Sequence, residues 1–248
     1  MGLKRMFDPK ALGLIFLALF WTLSCGSAPA ATPIPEPTPT PSPHQIIEKS
    51  GGRMLALDTA RFTLEHEGDS STQLFPGVTL QRVEGQVDMP NRFRIRAEAM
   101  SAFPRSFIEV NIVMVEDQAF MTDFINREKW NQVPVENLPF NFADLGRTLS
   151  DIIRAIQNPA FTGTETVDGV SSWRVRGTVP SESLAALVPE AGSGHEVALD
   201  LWVGQAQGLL IKVRIEGQIL STDVPKVVRV LTLYSFDEPV EISLPKMQ

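Results

Sequence analysis

Between Arg61 and Phe236 stretch after stretch carries apolar residues at every second position. That period limits the fold more than anything else in the chain. In "RFRIRAEA" Arg92, Arg94, Arg96 and Glu98 alternate with Phe93, Ile95, Ala97 and Ala99. In "FIEVNIVMVED" Ile108, Val110, Ile112 and Met114 share one face, and "HEVALDLWV" and "LLIKVRIEGQI" continue through Val197, Leu199, Leu201 and Val203, then Leu209, Ile211, Val213 and Ile215. Alternation with period two reads as antiparallel strands with one buried face. Adding "RFTLEHE", "VTLQRVEGQV", "QAFMTDF", "KWNQV", "FTGTETV", "SSWRVRGTV" and "KVVRVLTLYSF" gives about ten or eleven strands by this reading. The turn "STQLFPG" is read as a loop.

Helical spacing is scarce. Ile46, Ile47, Met54, Leu55 and Leu57 suggest one helix or two short ones broken at Gly51-Gly52. In "FADLGRTLSDIIRAIQNP" the stripe Leu145, Leu149, Ile152, Ile153 and Ile156 predicts a helix stopped by Pro159. "PSESLAALVP" predicts a short helix with Ser181 as N-cap and Pro189 as stop.

These counts set a geometric problem. Ten strands spaced about 4.8 Å apart make a sheet roughly 45–50 Å wide with one apolar face, whereas a helix covers a strip about 10 Å wide. Two or three helices cannot cover it, so the sheet must curl on itself. The fold class is therefore α+β, a curled antiparallel sheet with a few helices as a lid. Such a curl either encloses an apolar cavity or is filled by side chains. Gly85, Gly177 and Gly217 fall on the inward parity, where they leave space or relieve bending.

The N-terminal segment has a different logic. Lys4, Arg5 and Lys10 precede an apolar run from Ala11 to Trp21, the layout of a secretory signal rather than a membrane span, which needs about 20 apolar residues. The chain has one cysteine, Cys25, immediately after it. It has no partner for a disulfide or a metal site. "TLSC" resembles the bacterial lipobox, which implies cleavage before Cys25 and acylation of its thiol. Residues 1–24 are thus expected as signal and 25–43 as lipidated cysteine plus linker. Seven prolines between Pro29 and Pro43 favour extended polyproline II, a spacer that reaches roughly 55 Å. Residues 44–248 form the domain.

Charge narrows the partners. The net charge of −7 becomes −9 once residues 1–24, with three cations and one Asp, are removed. An acidic body argues against nucleic acid, which requires clustered cations, and against electrostatic docking to anionic lipid. Membrane attachment is then expected through N-terminal acyl chains. His44, His66 and His195 fall in no nucleophile or metal signature, and there is no G-x-S-x-G, H-E-x-x-H or phosphate loop. No catalytic residue, metal or cofactor is expected.

An ordered set of pieces carries a family resemblance from about Ala60 to Pro245. They are "VEGQVDMPNRFRIR", "AFMTD" with "KWNQV", "LGRTLSDIIRAI", "ETVDGVSSWRVRGTVPSESLAALVP", "VALDLWV", "GLLIKVRIEGQI" and "YSFDEPVEISLP". Together they resemble the LppX/LprAFG lipoproteins, relatives of the carriers LolA and LolB. The resemblance implies a U-shaped half β-barrel with those helices on its concave face, whose apolar cavity holds the acyl chains of a lipid or glycolipid carried within the cell envelope, at the extracytoplasmic face of the cell membrane. Leu149, Ile152, Ile153 and Ile156 on the helix, and Ile108, Val110, Ile112 and Met114 opposite, are the expected cavity residues. Leu74 and Phe75 in one loop, and Leu138 and Phe140 in another, are candidates for a mouth. The alternative is a surface lipoprotein acting as sensor or scaffold for a protein partner, such as an envelope exporter, with its cavity filled by side chains.

Overall fold

The structure, a computed structural model, describes residues 40–124, 126–138 and 140–246. The signal segment, Cys25 and most of the proline spacer lie outside the described residues. The chain opens with helix α1 (Pro43–Leu55). The strands β1 (Thr59–His66), β2 (Thr72–Phe75), β3 (Val78–Asp88), β4 (Arg92–Ala102), β5 (Arg105–Val115), β6 (Gln118–Thr122) and β7 (Trp130–Val133) follow. Helix α2 (Leu145–Arg154) then leads into β8 (Gln157–Val167), β9 (Val170–Pro180), β10 (Glu196–Gly204), β11 (Leu210–Glu216) and β12 (Val228–Tyr234).

All twelve strands form one antiparallel sheet in the order β7-β6-β5-β4-β3-β1-β12-β11-β10-β9-β8, with β2 paired to the start of β3. The sheet is open, with β7 and β8 as its edges. Its register aligns the inward residues into rows. One row runs across eight strands as Val175, Leu201, Val213, Leu231, Leu64, Val83, Ala97 and Val110. The inward faces of the sheet and both helices share one apolar core. Burying that many side chains in one continuous layer is what holds a disulfide-free domain together.

Both helices start with side-chain caps. Ser42 Oγ accepts from the Gln45 amide at 3.3 Å while Gln45 Oε1 accepts from the Ser42 amide at 2.8 Å, a capping box with Pro43 at the first helical position. Asp144 caps α2 by accepting from the Arg147 amide at 3.3 Å. α1 runs unbroken through Gly51-Gly52, because Gly51 is where α2 crosses. A Cβ there would lie 2.7 Å from Arg154 Nε and 3.3 Å from Ser150 Oγ. Gly146 makes the reciprocal approach, its missing Cβ space occupied by the Met54 carbonyl. These are close-approach glycines, not breaks.

Four local expectations are corrected. The strand count is twelve because "TQLF" pairs with β3 instead of forming part of a loop. α2 ends at Arg154, short of Pro159, which lies inside edge strand β8, where a missing amide costs no ladder bond. Ile156 therefore lies between helix and strand, not on the helix. Residues Ser181–Leu184 form a single 3₁₀ turn; the Ser181 hydroxyl donates to the Gly192 carbonyl at 2.7 Å and caps nothing.

Candidate functional site

The inward rows end in a change of chemistry. Next to the apolar row lies Gly177, Leu199, Ile215, Arg229 and His66, so that two polar side chains occupy inward positions on neighbouring strands β12 and β1. Between Arg229 and the chain segments packed over the sheet is a partly open cavity of about 50 Å³. Its wall includes Leu64, Leu80 and Leu231 from the sheet, Phe140 and Phe142 from the segment before α2, and Leu184 from the 3₁₀ turn. Its surface is apolar except at Thr72 and Arg229.

The aromatic wall is built as a stack. Phe142 lies 4.5 Å from Phe62 by ring centroids, meets Phe93 edge-on at 6.2 Å, and is 6.0 Å from Phe140. The Phe62 ring in turn fills the space left by Gly85, where an added Cβ would also lie 2.9 Å from Ile95 Cγ2. Ile156 occupies the corresponding space over Gly177. The inward glycines thus admit neighbouring side chains.

The polar end is an ion pair. Arg229 Nη2 donates to Asp223 Oδ1 at 2.5 Å and Arg229 Nε donates to Thr72 Oγ1 at 2.9 Å. Asp223 Oδ2 accepts from the Ile219 and Leu220 amides at 3.0 and 2.9 Å, which folds the β11–β12 connection over the cavity. The two side chains are 7% and 0% exposed. His66 Nε2 lies 2.8 Å from Thr72 Oγ1. Burial, and then the positive charge of Arg229, hold the His66 imidazole below its ordinary pKa, so its neutral form is favoured beside the guanidinium.

None of the expected cavity residues lines this particular cavity. Leu149, Ile152, Ile153, Val110, Ile112 and Met114 are buried in the shared core, and Ile156 with them, while Ile108 is half-buried. Of the expected mouth residues, Phe140 borders the cavity, Leu138 is buried beside it, and Leu74 packs on the core edge. Phe75 closes strand β2. The exposed apolar tip at this end is one that sequence reading missed: Phe103, 94% exposed, in the β4–β5 turn, with Phe107 45% exposed on β5. Register puts it there, since Leu80 pairs with Ala99 and Val78 with Ser101, two residues before the tip. Arg105 follows in the same turn, and Arg127 lies 5.8 Å from the Phe107 ring. The turn "FPR" held the signal, an aromatic among turn formers.

A second depression, on the outer face, is polar, with several of its charged side chains paired across it. Trp202 donates to Glu165 at 2.8 Å beneath Arg174 and Lys212, each 4.8 Å from its ring, and Arg214 pairs with Glu67 at 2.6 Å. No cluster of metal-ligating side chains occurs among the described residues. No helix among them is long and apolar enough to cross a membrane.

Comparison with known proteins follows the same geometry. The crystal structure of LprF from Mycobacterium bovis matches with a TM-score of 0.63 at 18% identity, covering 84% of this chain and 99% of that one. Lipoprotein LppX of Mycobacterium tuberculosis matches with a TM-score of 0.56 at 17% identity, covering 81% and 98%. At these identities the likeness is one of fold. LprF of Mycobacterium tuberculosis, whose name provisionally designates a diacylated glycolipid transporter, is 29% identical over 73 residues. That match spans 28% of this chain and 28% of the relative's length. The model of the LppX_LprAFG lipoprotein family matches residues 42–242, nearly the whole of the folded domain. On that match and that fold, the chain belongs to the LppX_LprAFG lipoprotein family.

Proposed function

We propose that this protein is a membrane-tethered carrier that takes the acyl chains of a lipid or glycolipid into the space between its curled sheet and its helices, and passes them on within the cell envelope. The observation that carries this reading is the partly open, almost wholly apolar cavity at one end of the sheet's inward face, in a fold shared with LprF and LppX. Burial of an acyl chain gains about 0.8 kcal/mol per CH₂, so a dry apolar interior matches a bilayer without a reaction to drive loading. Release is then partition back into the acceptor membrane. No step of this kind needs a nucleophile, and the protein acts as a carrier, not an enzyme. Acylated Cys25 holds it at the membrane; stable anchoring takes at least two chains.

At about 50 Å³ the cavity has room for only a few chain atoms, whereas ligand pockets run to about 300–1,000 Å³. Loading therefore displaces the Phe140–Phe142 segment and the turn after Leu184, neither of which belongs to the sheet. The same small volume favours the second reading, a scaffold whose interior stays filled. A carrier must also touch its donor membrane, and Phe103 and Phe107 with Arg105 and Arg127 are fitted to do so, at the end of the sheet where the cavity lies. Burying one Phe is worth about 1.5–3 kcal/mol. Phe103→Asp, at a fully solvated turn, is expected to leave the melting temperature unchanged and slow transfer of a fluorescent lipid from liposomes about tenfold or more. An unchanged transfer rate would remove the tip from the mechanism.

A further inference from the structure

We infer that the Arg229 end of the cavity is a binding subsite for a neutral carbonyl oxygen, so that the ligand is an acyl ester held by its linkage as well as by its chain. This rests on the carrier reading and narrows its ligand class. Arg229 sits on the inward parity of β12 with Leu231 and Leu233, its side chain 7% exposed, and it borders the apolar cavity. Two of its three guanidinium nitrogens are used, Nε on Thr72 and Nη2 on Asp223. The third, Nη1, is buried without a hydrogen-bond partner. An unpaired N–H in a dry site carries a desolvation penalty that an incoming acceptor removes.

The charge already present selects among acceptors. Arg229 and Asp223 cancel, both Asp223 oxygens are engaged, and the adjoining His66 is held toward its neutral form. A carboxylate or phosphate entering here would add an uncompensated negative charge to an apolar enclosure. A bare alkyl chain would leave Nη1 unpaired. An ester carbonyl satisfies the donor and keeps the site neutral, with its acyl chain directed into the Leu64, Leu80 and Phe142 side of the cavity.

The test uses methyl palmitate labelled with ¹³C at its carbonyl, bound to the full chain and observed by isotope-edited infrared spectroscopy. The carbonyl stretch is expected below that of the same ester in hexane. In Arg229→Met/Asp223→Leu, which removes the charge pair together, it returns to the hexane value. Arg229→Lys keeps the charge opposite Asp223 and removes the free guanidinium nitrogen, and should return it likewise. In displacement of the neutral dye N-phenyl-1-naphthylamine from the wild-type protein, the ester is expected at about three- to tenfold lower concentration than an n-alkane of equal length, the worth of one hydrogen bond. Palmitate at neutral pH should be the weaker competitor. A bound ester with a hexane-like carbonyl, a wild-type shift that survives both variants, or palmitate outcompeting the ester would each overturn the subsite while leaving the carrier reading intact. Failure of dye, ester and alkane alike to bind would overturn both.

Discussion

Replacing Phe142 with Ala is expected to lower stability by about 3–5 kcal/mol and, at the same time, to increase uptake of a neutral apolar dye. The two effects have one cause. The Phe142 ring closes the stack on Phe62 and Phe93 and forms part of the cavity wall. Its removal deletes buried aromatic contacts and joins the vacated volume to the existing 50 Å³. An apolar void of about 150 Å³ stays dry and admits small apolar guests, so the enlarged space becomes a better site even as the fold weakens. Chemical denaturation and dye titration on the same sample measure both quantities. A scaffold with a filled interior predicts the stability loss alone, with the dye excluded.

The second large effect concerns the buried ion pair. Arg229→Met is expected to cost about 3–5 kcal/mol, because Asp223, whose side chain is fully buried, is left without its counter-ion. Asp223→Leu should cost a similar amount and also free the Ile219 and Leu220 amides from their acceptor. Changing both together should cost less than the sum of the two and less than either single change, since an apolar pair leaves no unpaired charge. The coupling energy from a double-mutant cycle by urea denaturation checks this. Additive losses would mean that the pair contributes only through packing.

How much of this the sequence foretold depends on which residues carried the signal. Alternation fixed the inward face wherever one side chain in two was apolar, as at Phe93 and Ile95 or Leu199 and Leu201, because exposure of that face is costly on every strand. It failed at β2, where the strand is only four residues long and the following Pro76-Gly77 reads as loop. Pro159 misled in the opposite sense: proline marks the end of a helix only if no edge strand is available to take it. Gly51-Gly52 left one helix and two short ones equally open, because close helix crossing is a tertiary fact. The polar end of the site was legible, and unread, in "KVVRVLTLY". There Arg229 stands on the parity of Leu231 and Leu233, and a charge on an inward position needs either a partner or a purpose. Exposure was not legible at all. Nothing in "FPR" distinguishes Phe103 from a packed aromatic, and only the register and burial of the finished sheet identify it as a solvated tip.

The central claim is that the interior of the half-barrel holds lipid. Native mass spectrometry of residues 40–248, the compact unit that contains every described element, purified without detergent and paired with organic extraction, tests it most directly. The account predicts a bound species of acyl-lipid mass that is lost when Leu184, on the cavity wall, is changed to Trp. A protein that remains at its apo mass after refolding with a range of lipids would contradict it and leave the scaffold reading in its place.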